Sequence, residues 1–423
     1  MVRKLVRQAT RSPFIRNAAV LTAGSFAAQM IPLLMLPLFA RMFAASTFGI
    51  QALLQAGMVL IVPLATGCYE LAIPTPKEEG EARALATLAV RLTLAVSLLT
   101  LLVIALLRAR IVALLHIPEI GGWVFAYPAI VLGTALTSVA NYWLLRDGRY
   151  GLQSVNKLAL AIATSVVTLG CGLLHWPGGL LVGFVAGILL AAAFSLMQAR
   201  RRGLRLGHPK HLGALAKRYG HYPFFGSIPT AINNIAMQLP LLIITATYSL
   251  SVAGHYAVAR NTLAGGVALI ALCIGQVVLK HVSVLVHDGR PVWPDFRRIA
   301  LWLALFAACL TAGIYVVAPW FLRVYLGSAW ADSATIMRTL AFTSFFWLMG
   351  PTLSLGVVAI QKIRVVAAWQ VAYGVIELGL FFFVHLPFGQ FLWRVVAFEV
   401  VSYGLYTVLM IVTIYRYDRS RAT

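Results

Sequence analysis

Apolar runs of about 20 residues, the length that crosses about 30 Å of hydrocarbon as a helix, recur along almost the whole chain. They fall at 17–40, 48–73, 84–107, 122–145, 155–174 and 176–199, and again at 223–247, 252–280, 299–322, 334–360, 365–385 and 389–415. Between the two sets lies QARRRGLRLGHPKHLGALAKRYGHY, Gln198 to Tyr222, with seven Lys and Arg and no acidic residue. Such a run cannot enter hydrocarbon and stays in water or among lipid headgroups. The pattern predicts an all-α integral membrane protein of twelve transmembrane helices in two six-helix bundles. The expected divisions are a basic N-terminus at 1–16, a bundle at 17–199, a basic linker at 200–222, a second bundle at 223–415 and a tail at 416–423.

The 34 Lys and Arg test that count. With a cytoplasmic N-terminus, 26 of them fall in segments predicted to be inside, and the outside loops hold only Arg41, Arg108, Arg110, Arg323 and Arg338. The excess of cations on one side predicts that both termini are cytoplasmic. The opening MVRKLVRQATRSPFIRN superficially resembles the charged region of a secretory signal. The apolar run from Asn17 to Phe39 exceeds the roughly 7–15 residues of a signal core, so a retained first helix is expected. Residues 2–9 are expected to form a short surface helix.

Composition agrees with the spans. The 423 residues are 61% hydrophobic and 11% charged, with mean hydropathy +0.87, against about 25% charged in soluble domains. The net charge of +22 therefore reflects topology and attraction to anionic lipid. With spans on both flanks, the basic run reads as a membrane-surface linker and not as a nucleic-acid site. Cys68, Cys171, Cys273 and Cys309 all fall within apolar runs without a CxxC or Cys/His cluster, so no disulfide framework, metal site or cofactor is expected.

The longest outside loop is about 14 residues, Leu107 to Gly121. That length, and the lack of paired external carboxylates, weighs against a polysaccharide polymerase or membrane glycosyltransferase with an external catalytic lobe. Pro32, Pro37, Pro63, Pro223, Pro229, Pro240 and Pro351 interrupt the windows, as in transporters whose kinked helices line a cavity. A weak repeat relates the halves: QMIPLL at Gln29 to Leu34 and QLPLL at Gln238 to Leu242, followed by Gly49 and Gly254 respectively. Two similar bundles around a central cavity are the architecture this favours.

Further residues carry a family resemblance. Arg41 closes the first window, Phe48-Gly49 opens the second, and Tyr69-Glu70-Leu71-Ala72 precedes Pro76-Lys77-Glu78-Glu79. The second half adds Tyr222-Pro223, Gln238, Pro240, then Gly254, Tyr256 and Arg260, and finally Gly275-Gln276. In this order the motifs resemble the bacterial polysaccharide flippases of the O-antigen type, within the multidrug/oligosaccharidyl-lipid/polysaccharide exporter superfamily. The resemblance is good over about 20–85 and 140–285 and poor beyond 300; Tyr222 stands where that family commonly has Phe. It implies flipping of a polyprenyl-pyrophosphate-linked oligosaccharide from the inner to the outer leaflet of the bacterial cytoplasmic membrane, for surface polysaccharide biosynthesis. Membrane lipids and a polysaccharide polymerase are the further partners expected, and a cation-coupled multidrug exporter of the same superfamily is the alternative.

A flippase makes no covalent bond; it shelters a pyrophosphate-sugar headgroup from hydrocarbon, which calls for cationic and hydrogen-bonding groups. Arg91, Arg260 and Arg394 lie inside windows, where a charge needs a partner or water. Arg91 and Arg394 are within about eight residues of a window's end, close enough to snorkel. Arg260 lies deeper and matches the family motif; Arg41 is the fourth cationic candidate. Glu70, Glu377 and Glu399 could neutralise these arginines as structural pairs, and Glu377 and Glu399 are also candidates for proton coupling. Asn141, Asn233, Asn234, Gln238 and Gln276 suit sugar hydroxyls and equally suit interhelical hydrogen bonds.

Overall fold

The computed structural model describes residues 13–115, 118–207 and 212–422, so the surface helix expected at 2–9 lies outside the described residues. The first six windows become α1 (Pro13–Met42), α2 (Ala45–Thr66), α3 (Glu79–Leu115), α4 (Tyr127–Arg146), α5 (Tyr150–Leu173) and α6 (Gly179–Arg201). A short α7 (Leu212–Arg218) forms inside the linker. Then come α8 (Ile228–Thr247), α9 (Leu250–His287), α10 (Trp293–Leu326), α11 (Ala331–Ala359), α12 (Ile363–Glu377) and α13 (Phe388–Ala422).

Among the described residues, eleven helices are long and apolar enough to cross a membrane. The remaining window, 365–385, has a different build. There the 15 residues of α12 pass directly into a six-residue 3₁₀ turn, Leu378–Phe383. At 1.5 and 2.0 Å per residue the two pieces together reach about 34 Å, which matches about 30 Å of hydrocarbon.

Two compact units divide the chain, Met1–Asn234 and Ile235–Thr423, and the division falls inside α8. In the first unit, α5 packs on both α1 and α6, and α4 packs on α6. Along α6, Gly179, Gly183 and Gly187 recur at every fourth residue. A Cβ on Gly183 or Gly187 would stand 1.9 or 2.3 Å from the hydroxyl of Thr168 or Thr164 on α5. Lipid tails are as apolar as leucine, so helix pairs in a membrane associate through this kind of close backbone approach.

The linker is fastened to the first unit by specific contacts. Tyr69, Ile73, Leu85 and Trp143 form a buried apolar cluster with Leu204, and Leu212, Leu215 and Tyr219 of the linker pack against it. Trp143 Nε1 donates to the carbonyl of Arg202 at 3.0 Å, Tyr69 Oη to that of Ala216 at 3.1 Å and Arg83 Nε to that of Gly203 at 3.1 Å. Arg218 pairs with Glu81 of α3 at 2.8 Å. The run has no acid of its own, and its counter-charge is supplied from the α3 end. Arg146 ties down the preceding turn by donating to the carbonyls of Ile73, Pro76 and Lys77.

In the second unit α11 packs against α9, α10 and α13 and is the most buried of the described spans. His255 on α9 and Ser333 on α11 join these helices, with Nδ1 and Oγ 2.9 Å apart and Ser333 Oγ donating to the His255 carbonyl at 3.1 Å. Prolines interrupt helices in both units, at Pro32 and Pro37 in α1, Pro63 in α2, Pro240 in α8, Pro319 in α10 and Pro351 in α11. At Pro223–Ser227 the chain makes a π turn before α8.

Candidate functional site

Arg260 lies on the third turn of α9, about 15 Å from its start at 1.5 Å per residue. Its Nη1 is 2.9 Å from Oε1 of Glu399 on α13; Glu399 is fully buried and Arg260 nearly so. The same Nη1 donates to the hydroxyl of Tyr256, one turn earlier on α9. The guanidinium also lies 5.3 Å from the ring centroid of Trp347 on α11 and 5.8 Å from that of Tyr256. Aromatic faces stabilise a cation where water is excluded.

Glu377, also fully buried, completes the group from the last residue of α12. It acts electrostatically on Glu399, Arg260, Tyr373 and Tyr403. The rings of Tyr373 and Tyr403 are 5.6 Å apart. This group in the second unit comprises the guanidinium of Arg260, the carboxyls of Glu377 and Glu399 and the phenols of Tyr256, Tyr373 and Tyr403, with the indole of Trp347 from α11. Ionising both carboxyls would leave one negative charge without a cation, an expensive state in a dry interior.

The other candidates lie elsewhere. Arg91 on α3 is exposed and donates to the Gly207 carbonyl of the linker at 3.3 Å. Arg394 is exposed on α13, 5.3 Å from the Phe383 ring centroid. Arg41, also exposed, lines an open cleft of about 450 Å³ with Met42, Phe43, Thr47, His175 and Trp176. Asn234 donates to the Val59 carbonyl at 2.8 Å; Asn233 and Gln238 are half-buried and Gln276 is exposed. Asn141 receives the side-chain amides of Asn156 and Gln153, at 2.8 Å on its Oδ1 and 2.7 Å on its carbonyl.

Glu70 is buried in the 3₁₀ turn between α2 and α3, with Oε2 unpartnered. Burial pushes its carboxyl above the usual range, against hydrogen bonds from Thr66 and its own backbone. A group that charge counting alone did not single out is Lys157 on α5, whose Nζ donates to Ser25 Oγ on α1 at 2.7 Å. By position it belongs with the inside charges; its contact is with the neighbouring transmembrane helix.

An all-helical chain with this many helices of membrane-spanning length and apolarity is a multi-pass membrane protein. Its fold is shared with solved membrane proteins. It matches the inward closed conformation of the lipid II flippase MurJ with a TM-score of 0.73 at 12% identity, covering 94% of this chain and 86% of that one. An inward-facing multidrug resistance transporter of the MATE family matches with a TM-score of 0.60 at 13% identity, covering 94% of each chain. The profile of a family described as polysaccharide biosynthesis protein matches residues 38–335, and the chain belongs to that family. A candidate O-antigen transporter of Shigella dysenteriae is 22% identical over 372 residues, which are 82% of this chain and 85% of the relative.

Proposed function

We propose that this protein moves a polyprenyl-pyrophosphate-linked oligosaccharide from the inner to the outer leaflet of the bacterial cytoplasmic membrane by alternating access, with both termini cytoplasmic. Family membership over 38–335 supports the substrate class, and the 26-to-5 partition of Lys and Arg supports the orientation. The observation that carries the mechanism is Arg260, the one arginine candidate held inside the described protein against a fully buried carboxylate. A planar guanidinium engages two oxygens of a pyrophosphate at once. In this reading the substrate anion and Glu399 compete for Arg260, and a proton taken up by Glu399 or Glu377 frees the guanidinium. Arg41, Arg91 and Arg394 are proposed as further cationic contacts along the headgroup's path, with Asn233, Asn234, Gln238 and Gln276 as sugar contacts.

The test is surface polysaccharide measured together with the lipid-linked precursor retained in the inner leaflet, each normalised to protein in the membrane. Arg260→Lys at normal level should accumulate precursor, and normal surface polysaccharide from that variant defeats the Arg260 assignment. The similarity to MATE transporters favours export of a cationic drug as the second reading. That reading requires drug accumulation to rise on deletion with the precursor pool unchanged.

A further inference from the structure

An open cleft of about 500 Å³ lies on the first unit where α5 begins and α6 ends, lined by Leu152, Phe194, Met197, Gln198, Arg201 and Arg202. Its two ends differ in chemistry. Phe194 and Met197 stand on one face of α6, together with Leu190 and Arg201 at helical spacing, and Leu190 and Met197 are both exposed. From Phe194 to Arg201 is about 10 Å along the helix axis. The cleft is therefore an apolar wall about 10 Å long that ends at two guanidiniums.

Those guanidiniums are exposed and have no ion pair among the described residues, whereas Arg83 and Arg218 nearby are paired with Glu79 and Glu81. Their backbone is nonetheless fixed. The Arg202 N–H closes the end of α6 on the Ala199 carbonyl at 3.0 Å, and its carbonyl receives Trp143 Nε1. The next residue, Gly203, turns the chain at φ +88° and is held by Arg83. The backbone beneath the charged rim is thus fixed, which lowers the ordering cost of binding.

We infer that this cleft holds an anionic glycerophospholipid of the adjoining leaflet, its phosphate on Arg201 and Arg202 and the start of its acyl chain along Phe194, Met197 and Leu152. A free anion would use the guanidiniums and leave the apolar wall unoccupied; a neutral lipid would use the wall and leave two uncompensated cations. Basic pockets between transmembrane helices on the cytoplasmic side are suited to anionic headgroups. The volume suits a phosphate-glycerol head with part of a chain, and is too small for an oligosaccharide as well. The bound lipid would anchor the start of the linker, the segment already fastened to α3 and α4. This assignment stands whichever substrate the protein moves.

The experiment is lipid retention by the purified full-length protein in detergent, read by native mass spectrometry during titration with phosphatidylglycerol or phosphatidylcholine. Wild type should retain phosphatidylglycerol in preference, and R201A/R202A should weaken that retention by tenfold or more. R200A/R205A, which removes two exposed arginines outside the cleft, should leave it unchanged. Met197→Trp, which fills the wall and keeps both arginines, should also lose retention and covers the case in which R201A/R202A does not fold. Equal retention of the two lipids, unchanged retention in R201A/R202A, or an equal loss in R200A/R205A overturns the site. Displacement of phosphatidylglycerol by polyprenyl pyrophosphate at lower concentration also overturns it, by making the cleft a substrate site.

Discussion

Arg260 and Glu399 stand 2.9 Å apart in the interior of the second unit, though 139 positions separate the two residues in sequence. Removing one partner of a buried pair leaves an uncompensated charge, typically at a cost of about 3–5 kcal/mol. Arg260→Ala should therefore deplete the protein from the membrane, and R260A/E399Q should restore its level. Transport separates the two roles of the arginine. Polysaccharide export restored along with the level would make Arg260 a structural partner only. If the level returns while precursor still accumulates, and E399Q alone exports polysaccharide, Arg260 is the group that holds the pyrophosphate.

Glu70 gives a pH-dependent prediction. Its folded-state pKa is raised by burial, so the unfolded chain releases its proton first as pH rises. The stability this group contributes is present below about 4.5 and is lost progressively as pH rises towards the folded value. Glu70→Gln removes the titration, and the variant should gain thermal stability relative to wild type as pH rises above about 4.5. A difference in melting temperature that stays constant over this range, or shrinks, contradicts the burial argument.

The helices and their number were legible because apolar runs of spanning length carry a strong signal, and the charge partition fixed how to count them. Arg260 was also legible, since an arginine inside a window demands a partner. Which glutamate answers it was not: Glu377 and Glu399 are both acids in apolar surroundings, and only the packing of α9 against its neighbours chooses. The fastening of the linker left no trace either. Trp143, Arg83 and Tyr69 donate to main-chain carbonyls, and any residue offers a carbonyl. Lys157 was legible as a charge near a helix end, while its bond to Ser25 depends on how α1 and α5 face each other.

The α5–α6 contact predicts a large effect from one methyl group. A Cβ at Gly183 would lie 1.9 Å from Thr168 Oγ1 and 2.8 Å from its Cα. A rotamer change could move the hydroxyl, but only a helix shift can move the backbone. Gly183→Ala should destabilise the protein by about 1–3 kcal/mol, the usual range for overpacking. Gly265→Ala on α9, with nothing within 4 Å of the added carbon, is the control and should be neutral or slightly stabilising. Equal melting temperatures for the two variants would show that α6 is not seated on α5 as described.

Asp418 near the end of α13 accepts from the backbone N–H of Val292 at 2.9 Å and of Trp293 at 2.6 Å, one with each carboxylate oxygen. These are orphan donors at the start of α10, where no earlier turn supplies carbonyls. A negative charge there also opposes the positive end of the helix dipole. Asp418→Ala should cost about 0.5–2 kcal/mol, as for loss of a helix cap. Asp418→Asn keeps one acceptor oxygen and loses the charge, so it should fall between wild type and alanine. The α10 start is 125 residues from Asp418, so the same change should raise hydrogen exchange at Val292 and Trp293 while α11 stays protected. Exchange that rises equally across α10 and α11 would mean that the carboxylate supports the whole unit and not this one helix end.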